Sequence, residues 1–316
     1  MADGNRKFML PIVCAALLAA CGGDEAADAA RAQSEAALAT AFANEQAAWR
    51  SERREGLLKP DGWTSLIGLH WIEPGAHYVG SDADNGIRIA IGPEHLGMLR
   101  LANGVASFEP DSDAAVTLDG APLTAGATLR TDSDPEGPSV IGYDDGKGLA
   151  TVIKRGDRHA LRVKHADAPT RLQFAGLQYW PGGRDWKVDA KFVPHEAGRT
   201  IPIVNIVGMT DEVPNPGAVE FQRDGKTWRL EALDEGGGEL FLIYADRTSG
   251  HGSYGAGRYL YTAMPDAKGN VVLDFNQGYN PPCAFTAFAT CPLPPPENRL
   301  DLAIAAGEKA YAKPVH

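Results

Sequence analysis

The chain has 316 residues, of which 44% are hydrophobic and 22% are charged, and its formal net charge at pH 7 is −11. This length and composition are enough to bury a sizeable core in one or two domains. The acidic balance, with no block of basic residues, argues against nucleic acid as a partner and against charge-driven adhesion to anionic lipid.

The first twenty residues are typical of a bacterial export signal. Arg6 and Lys7 precede an apolar segment, residues 8–20, that is too short for a permanent membrane-spanning helix. The segment ends in L-A-A-C-G, which resembles a lipobox, in which the thiol of Cys21 would receive a diacylglycerol. We therefore predict a signal peptide over residues 1–20, a lipid anchor at Cys21 and a location at the periplasmic face of the outer membrane, since glycine rather than aspartate follows the cysteine. An ordinary secretory signal with an incidental cysteine is the alternative.

Residues 21–60 are predicted to form a tether and a helix. The segment is rich in alanine, and Leu38, Phe42 and Trp49 recur at spacings of four and seven, which places them on one face of a helix. Gly56 is expected to help end the helix.

Residues 61–148 are predicted to form a small β-sandwich, because the hydrophobic period changes there to two. The runs P-G-A-H-Y-V-G-S-D-A-D-N-G-I-R-I-A and V-T-L-D-G-A-P-L-T-A-G-A-T-L resemble a forkhead-associated domain. That family clamps a phosphate with an arginine, but Ser81 stands at the matching position, and Asp119 and Gly120 replace its Asn-Gly pair. A phosphate needs cationic or amide donors, so the module is expected to be structural and not a phosphopeptide reader.

Residues 149–316 are predicted to form an antiparallel β-barrel or sandwich, which makes the whole chain mainly β. Short apolar segments recur mostly every eight to twelve residues between Gly, Pro and Asp. Residues 172–179 are among the predicted strands, and residues 299–311 are predicted to form a short C-terminal helix.

Polar side chains are concentrated on loops between residues 246 and 308, as is typical of a binding site. Arg258 offers a bidentate fork for a carboxylate or a phosphate, although it could instead form a buried ion pair with Asp246. We predict that a small polar ligand binds here, without a cofactor or a metal ion. The predicted ligand-binding residues are Asp246, Thr248, Tyr254, Arg258, Asp274, Asn276, Asn280 and Glu297.

A family resemblance supports this choice of region. Residues 246–308 contain the runs D-R-T-S-G-H-G-S-Y-G-A-G-R-Y-L, L-D-F-N-Q-G-Y-N-P-P-C-A-F-T and C-P-L-P-P-P-E-N-R-L, and residues 62–75 read G-W-T-S-L-I-G-L-H-W-I-E-P-G. These runs resemble the bacterial and archaeal family known as domain of unknown function 1684, and the resemblance extends from Trp49 to Tyr311. It implies no established reaction, because the family is named for lacking one.

Cys14 lies in the predicted signal and Cys21 is the predicted lipid anchor, which leaves Cys283 and Cys291, eight positions apart. A metal pair or a redox-active dithiol would need a C-x-x-C spacing or a histidine nearby in the chain, and neither is present. A structural disulfide is therefore predicted for this exported protein.

Two other functions stay open at this stage. Asp246, Asp274 and Glu297 could converge as acid and base of a hydrolase that acts on a glycan or an ester. Alternatively, the chain could be a structural or assembly protein of the cell envelope, in which the polar loop residues only fix the loops.

Overall fold

The computed structural model of the chain describes residues 21–312, with side chains from residue 27 onward. The predicted signal peptide, residues 1–20, lies outside the described residues. The chain divides into two compact units, one ending at Ala48 and one beginning at Trp49. In the described part of the chain, no helix is long and apolar enough to cross a bilayer.

The predicted N-terminal helix is present as α1, Cys21–Leu58. Alanine and other strong helix formers dominate it, which explains its length. Leu38 is 50% exposed, so the predicted apolar stripe is not buried at that position, whereas Leu57 near the helix end is buried.

The first β region is a sandwich of two sheets around one core that includes Leu99, Phe108 and Val152. One sheet has the strand order β1-β11-β10-β9-β6-β7 and the other β3-β2-β4-β5-β8, and only the β2–β3 pair is parallel. The predicted boundary between residues 148 and 149 falls inside the first of these sheets, because β10 pairs with both β9 and β11. The strands are β1 Leu66–Ile72, β2 Gly75–Gly80, β3 Ile87–Arg88, β4 Gly97–Ala102, β5 Val105–Pro110, β6 Thr117–Leu118, β7 Ala121–Pro122, β8 Ala127–Leu129, β9 Ile141–Tyr143, β10 Gly148–Arg155 and β11 Arg158–His165.

The second β region is a nearly closed antiparallel barrel with the strand order β18-β17-β16-β15-β12-β19. Its two edge strands approach each other, since the Thr262 hydroxyl donates to the Val272 carbonyl over 2.8 Å. A separate hairpin, β13–β14, lies outside this sheet. The elements are α2 Pro169–Leu172, β12 Lys187–Pro194, β13 Thr200–Val204, β14 Thr210–Pro214, β15 Gly217–Arg223, β16 Lys226–Asp234, β17 Glu239–Tyr244, β18 Arg258–Ala263 and β19 Asn270–Asp274.

Two predicted elements of this region are wrong. Residues 172–179 form no strand beyond a single bridge at Tyr179. Residues 299–311 form no helix, because their backbone groups bond to other parts of the chain: the Glu308 N–H donates to Gly278 O over 2.7 Å, and the carbonyl of Ile304 accepts from a buried arginine. Gly307 has a φ of +77°, which also breaks a helix.

Candidate functional site

Arg258, the centre of the predicted site, lies at the start of β18 with its side chain completely buried. Its guanidinium forms an ion pair with Asp246, which is also completely buried, over 2.6 Å between Nη2 and Oδ2. The same guanidinium donates to the Ile304 carbonyl over 3.0 Å and to the Ala306 carbonyl. The structure therefore places Arg258 and Asp246 together inside the barrel as a buried ion pair.

The acceptors of Asp246 are also used within the fold. Its Oδ1 accepts from the Thr248 N–H over 2.6 Å, and the Thr248 hydroxyl shares a hydrogen bond of 2.7 Å with Ser253. We call Asp246, Thr248 and Arg258 the buried arginine cluster. Its two opposite charges are paired with each other, although the Arg258 Nε–H has no acceptor among the described residues, and the cluster fixes the path of the C-terminal segment.

Asp274 and Asn276 brace a neighbouring loop. Asp274 Oδ1 accepts from the backbone and side-chain N–H groups of Asn276, over 3.0 and 2.8 Å. The Asn276 side chain both accepts from and donates to the backbone of Gly183, over 2.9 Å each. These contacts connect the end of β19 to the segment that leads into β12.

The remaining predicted residues are dispersed. Asn280 is buried, and its N–H donates to the carboxylate of Glu308 over 2.8 Å. Tyr254 packs against an apolar cluster that includes Phe285. Glu297 is exposed. Thus the structure brings Asp246, Thr248 and Arg258 together, but it holds Glu297 at the surface while Asp246 and Asp274 are buried.

The predicted disulfide is confirmed. Cys283 and Cys291 are bonded, with their Cα atoms 6.2 Å apart. The bridge closes the loop 284–290, part of which forms a wall of the cavity described next.

A cavity of about 400 Å³ opens between the first β region and the barrel. None of the predicted ligand-binding residues lines it. We call it the Tyr–Arg cavity after the side chains that dominate its walls. The lining residues are Arg53, Leu57, Trp63, Arg155, Arg162, Glu235, Phe241, Tyr259, Tyr261, Tyr279, Pro282, Phe285, Ala289, Thr290, Cys291 and Pro292.

The barrel contributes an aromatic wall. Tyr259 and Tyr261 alternate with Arg258 and Leu260 along β18, so they project to the opposite face of the strand. The Phe241 ring stacks on Tyr261 at 4.7 Å between centroids and meets Tyr259 edge-on at 5.0 Å. This interlocked set is rigid, because each ring restricts the next.

The phenol groups of this wall are neutral donors. Burial raises the pKa of Tyr259 and the pKa of Tyr261 well above the usual value for a tyrosine. The Tyr259 hydroxyl donates to the Pro292 carbonyl over 2.8 Å, and the Tyr261 hydroxyl donates to the exposed Glu235 carboxylate over 2.6 Å. The wall therefore offers uncharged ring faces to a ligand.

Two of the three cavity arginines have acceptors in the protein. Arg155 pairs with Asp132 over 2.7 Å and donates to the Thr290 hydroxyl over 3.1 Å. Arg53 pairs with Glu308 over 2.9 Å and lies 4.6 Å from the centre of the Tyr279 ring.

Arg162 differs from both. Its Nε–H is buried and has no hydrogen-bond partner, and within residues 21–312 the structure shows no ion pair for its guanidinium. Burial, and then the charge of Arg155, lower the pKa of Arg162 to about 10, while Asp132 opposes the shift. The side chain is still cationic at neutral pH, so the cavity wall carries a positive charge that no contacting acid neutralises.

The sequence contains a signal for Arg162 in the pattern of strand β11. In the strand R-H-A-L-R-V-K-H, Leu161 and Val163 belong to the core of the sandwich. Arg158, Arg162 and Lys164 must then lie on the outer face of the same strand. A basic face on a central strand is uncommon and could have marked this surface.

One comparison with known proteins supports the family resemblance, over a narrower range than Trp49–Tyr311. Residues 172–309 match the family described as "Protein of unknown function (DUF1684)". A solution NMR structure of an uncharacterized protein of Haloarcula marismortui is 32% identical, and the match covers 44% of this chain and 78% of that chain with a TM-score of 0.37. No curated protein matches the chain. The forkhead-associated resemblance is not confirmed by these comparisons.

Proposed function

We propose that this chain, whose residues 172–309 match the DUF1684 family, is an exported lipoprotein that binds a small ligand in the Tyr–Arg cavity. The lipobox at Cys21 supports the membrane anchor. The cavity supports the binding role and replaces the buried arginine cluster as the place where the ligand binds.

The observation that carries the proposal is the cavity itself. Its volume of about 400 Å³ lies in the range of small-molecule sites, roughly 300–1,000 Å³. Its walls come from strand β18, strand β11 and the loop closed by the disulfide, so little ordering is needed when a ligand enters. A preformed site of this kind loses less free energy to immobilisation than a flexible one.

The chemistry of the walls favours binding over catalysis. Hydrolysis of a glycan needs two carboxylates that flank a cleft. Glu235 is the one carboxylate among the residues that line the cavity, and its Oε2 accepts from Tyr261. Asp246 and Asp274, the two buried carboxylates of the hydrolase hypothesis, do not line it.

Thermal denaturation of the full-length chain in the presence of a panel of small acids, sugars and amines tests the binding role. A ligand of the folded state raises the melting temperature by mass action. That rise should disappear in Tyr261→Ala and persist in the control Tyr78→Ala, since Tyr78 is also exposed but lies on β2 away from the cavity. An equal rise in both variants would place the ligand elsewhere.

Metabolic labelling with palmitate tests the anchor. Label should enter the wild-type protein and the control Cys14→Ser, whose cysteine lies within the predicted signal, but not Cys21→Ser. Equal labelling of all three proteins would refute lipidation at Cys21.

A further inference from the structure

The unpaired guanidinium of Arg162 indicates which class of ligand the cavity accepts. A buried donor without an acceptor destabilises the fold, and it does so more when the group is charged. The Nε–H of Arg162 is such a donor, and it belongs to a residue that lines the cavity. An acceptor supplied by a ligand would remove this cost.

The neighbourhood of Arg162 adds a second, independent reason for an anion. Arg155 lies close enough for its charge to disfavour the charge of Arg162. Among residues 27–312, Asp132 is the acid that pairs with Arg155, over 2.7 Å, and no acid pairs with Arg162. The two guanidinium groups carry two positive charges and Asp132 supplies one negative charge, so the pair keeps a net positive charge that favours an anion.

The shape of the donor set defines the anionic group. The Nε–H and an Nη–H on the same edge of a guanidinium form a planar fork that matches the two oxygens of a carboxylate or of a phosphate. The Trp63 ring lies 5.6 Å from the Arg162 guanidinium carbon and helps to hold the fork in place.

The aromatic wall of the cavity indicates what the rest of the ligand, beyond its anionic group, should be. Tyr259, Tyr261 and Phe241 present a rigid surface of ring faces and edges without a charge. Such a surface packs best against a flat or apolar group.

A cationic ligand fits this cavity poorly, although aromatic walls alone would suit a quaternary ammonium group. Arg155 and Arg162 stand on the wall, and the guanidinium of Arg53 already covers the Tyr279 ring at 4.6 Å. A cationic ligand would be repelled by these three guanidinium groups.

Resting on the proposed function, we propose that the Tyr–Arg cavity binds a small organic oxyanion, a carboxylate or a phosphate monoester. The Arg162 guanidinium donates hydrogen bonds to the anionic group of this ligand, and the flat remainder of the ligand packs against Tyr259 and Tyr261. A carboxylate and a phosphate both offer oxygens to the guanidinium, and the probes below distinguish between these two anionic groups.

Isothermal titration of the full-length chain, purified in non-ionic detergent, tests this with three matched probes: benzoate, phenyl phosphate and benzyl alcohol. We expect at least one of the two anions to bind about tenfold or more tightly than the neutral alcohol, because charge-assisted hydrogen bonds are the stronger ones. The preferred anion identifies the head group as carboxylate or phosphate.

Arg162→Gln should weaken binding of the preferred anion about tenfold or more, and Arg162→Lys should weaken it less, because lysine keeps the charge but loses the fork. Arg158→Gln is the matched control: Arg158 lies on the same face of β11, 4.0 Å from the Trp71 ring, and does not line the cavity. It should leave binding unchanged.

The possible failures are distinguishable. Benzyl alcohol binding as tightly as the anions, with Arg162→Gln without effect, would overturn the oxyanion inference and leave the cavity as a small-ligand site. Equal losses in Arg162→Gln and Arg158→Gln would show a general effect of surface charge and would also overturn it. Absence of binding by all three probes at millimolar concentration, together with a negative panel in the thermal assay, would overturn both proposals.

Discussion

Arg258 and Arg162 lie on strands of two different sheets, and they differ in how many acceptors the protein provides for their guanidinium groups. Arg258 on β18 is completely buried, and Asp246, Ile304 and Ala306 accept hydrogen bonds from it. Arg162 on β11 has neither an ion pair nor a hydrogen bond among residues 27–312, and it borders a cavity of about 400 Å³. The Nε–H is buried without an acceptor in both residues, so the difference lies in the ion pair, the carbonyl acceptors and the cavity. The comparison shows that a concentration of polar groups does not by itself mark a ligand site. A polar group that the protein leaves unsatisfied beside a cavity is the more specific sign.

The largest effect is expected from breaking the satisfied cluster. Arg258→Lys keeps the charge but cannot reach Asp246 and two carbonyls with the same planar fork, so the free energy of unfolding should fall by about 3–5 kcal/mol. Urea unfolding measures this change.

Arg247→Lys is the control for that prediction. Arg247 pairs with Asp301 over 2.5 Å, but both side chains are mostly exposed. Because an exposed ion pair contributes little to stability, the variant should unfold at nearly the wild-type urea concentration. If Arg258→Lys unfolded at the same urea concentration as Arg247→Lys, the structural role of Arg258 would be refuted.

The next effect concerns the wall that the disulfide supports. Replacing both Cys283 and Cys291 with serine removes a bridge across eight positions and should lower the free energy of unfolding by roughly 2–3 kcal/mol. Because Cys291 lines the Tyr–Arg cavity, the same variant should also bind the preferred anion more weakly. Unchanged stability in the double variant, measured by urea unfolding without reductant, would contradict the structural role of the bridge.

The site shows where sequence reasoning reached its limit. The polar loops around Asp246, Arg258 and Asp274 were visible, and their proximity followed from the order of the strands. Whether a carboxylate or a carbonyl satisfies a guanidinium depends on the C-terminal segment, and the carbonyls of Ile304 and Ala306 come from about fifty residues further along the chain. No local sequence pattern indicates a contact over such a separation in the chain. The sequence therefore identified the cluster but did not reveal that its polar groups bond to one another and to the C-terminal segment.

A smaller effect should appear at Glu231, a second satisfied buried group. Burial alone raises the pKa of this carboxyl, but hydrogen bonds from His195, over 2.7 Å, and from Arg229, over 3.2 Å, lower it overall below its usual value of 4.5. The folded chain then holds the Glu231 proton less tightly than the unfolded chain. The resulting stabilisation is present above pH 4.5 and is lost as the pH falls through the lower value of the folded state.

Glu231→Gln should therefore cost about 1–2 kcal/mol at neutral pH and should make stability fall less steeply below pH 4.5 than in the wild type. Urea unfolding across that pH range measures both. Glu239→Gln, at an exposed position on the neighbouring strand, is the control and should follow the wild-type profile. Parallel profiles for wild type and Glu231→Gln would contradict the role assigned to these hydrogen bonds.

The architecture was more predictable than the site. Alternation and turn residues predicted most strands of both β regions, since period two is imposed by the pleat itself. The prediction of a C-terminal helix was wrong. In that segment Leu300, Leu302 and Ile304 are buried in the barrel core. Their spacing of two suits an extended chain, but tertiary hydrogen bonds, and not propensity, decide the outcome there.

The unfolding free energy of Arg162→Met tests the central contrast most directly. Methionine keeps the apolar stem of the side chain and removes a half-buried cation that has no ion pair among residues 27–312, which is a cost that a binding site carries for its ligand. Without ligand, the variant should be as stable as the wild type within about 0.5 kcal/mol, or more stable. A loss of about 2 kcal/mol or more would show that Arg162 supports the fold and would contradict its assignment to a ligand.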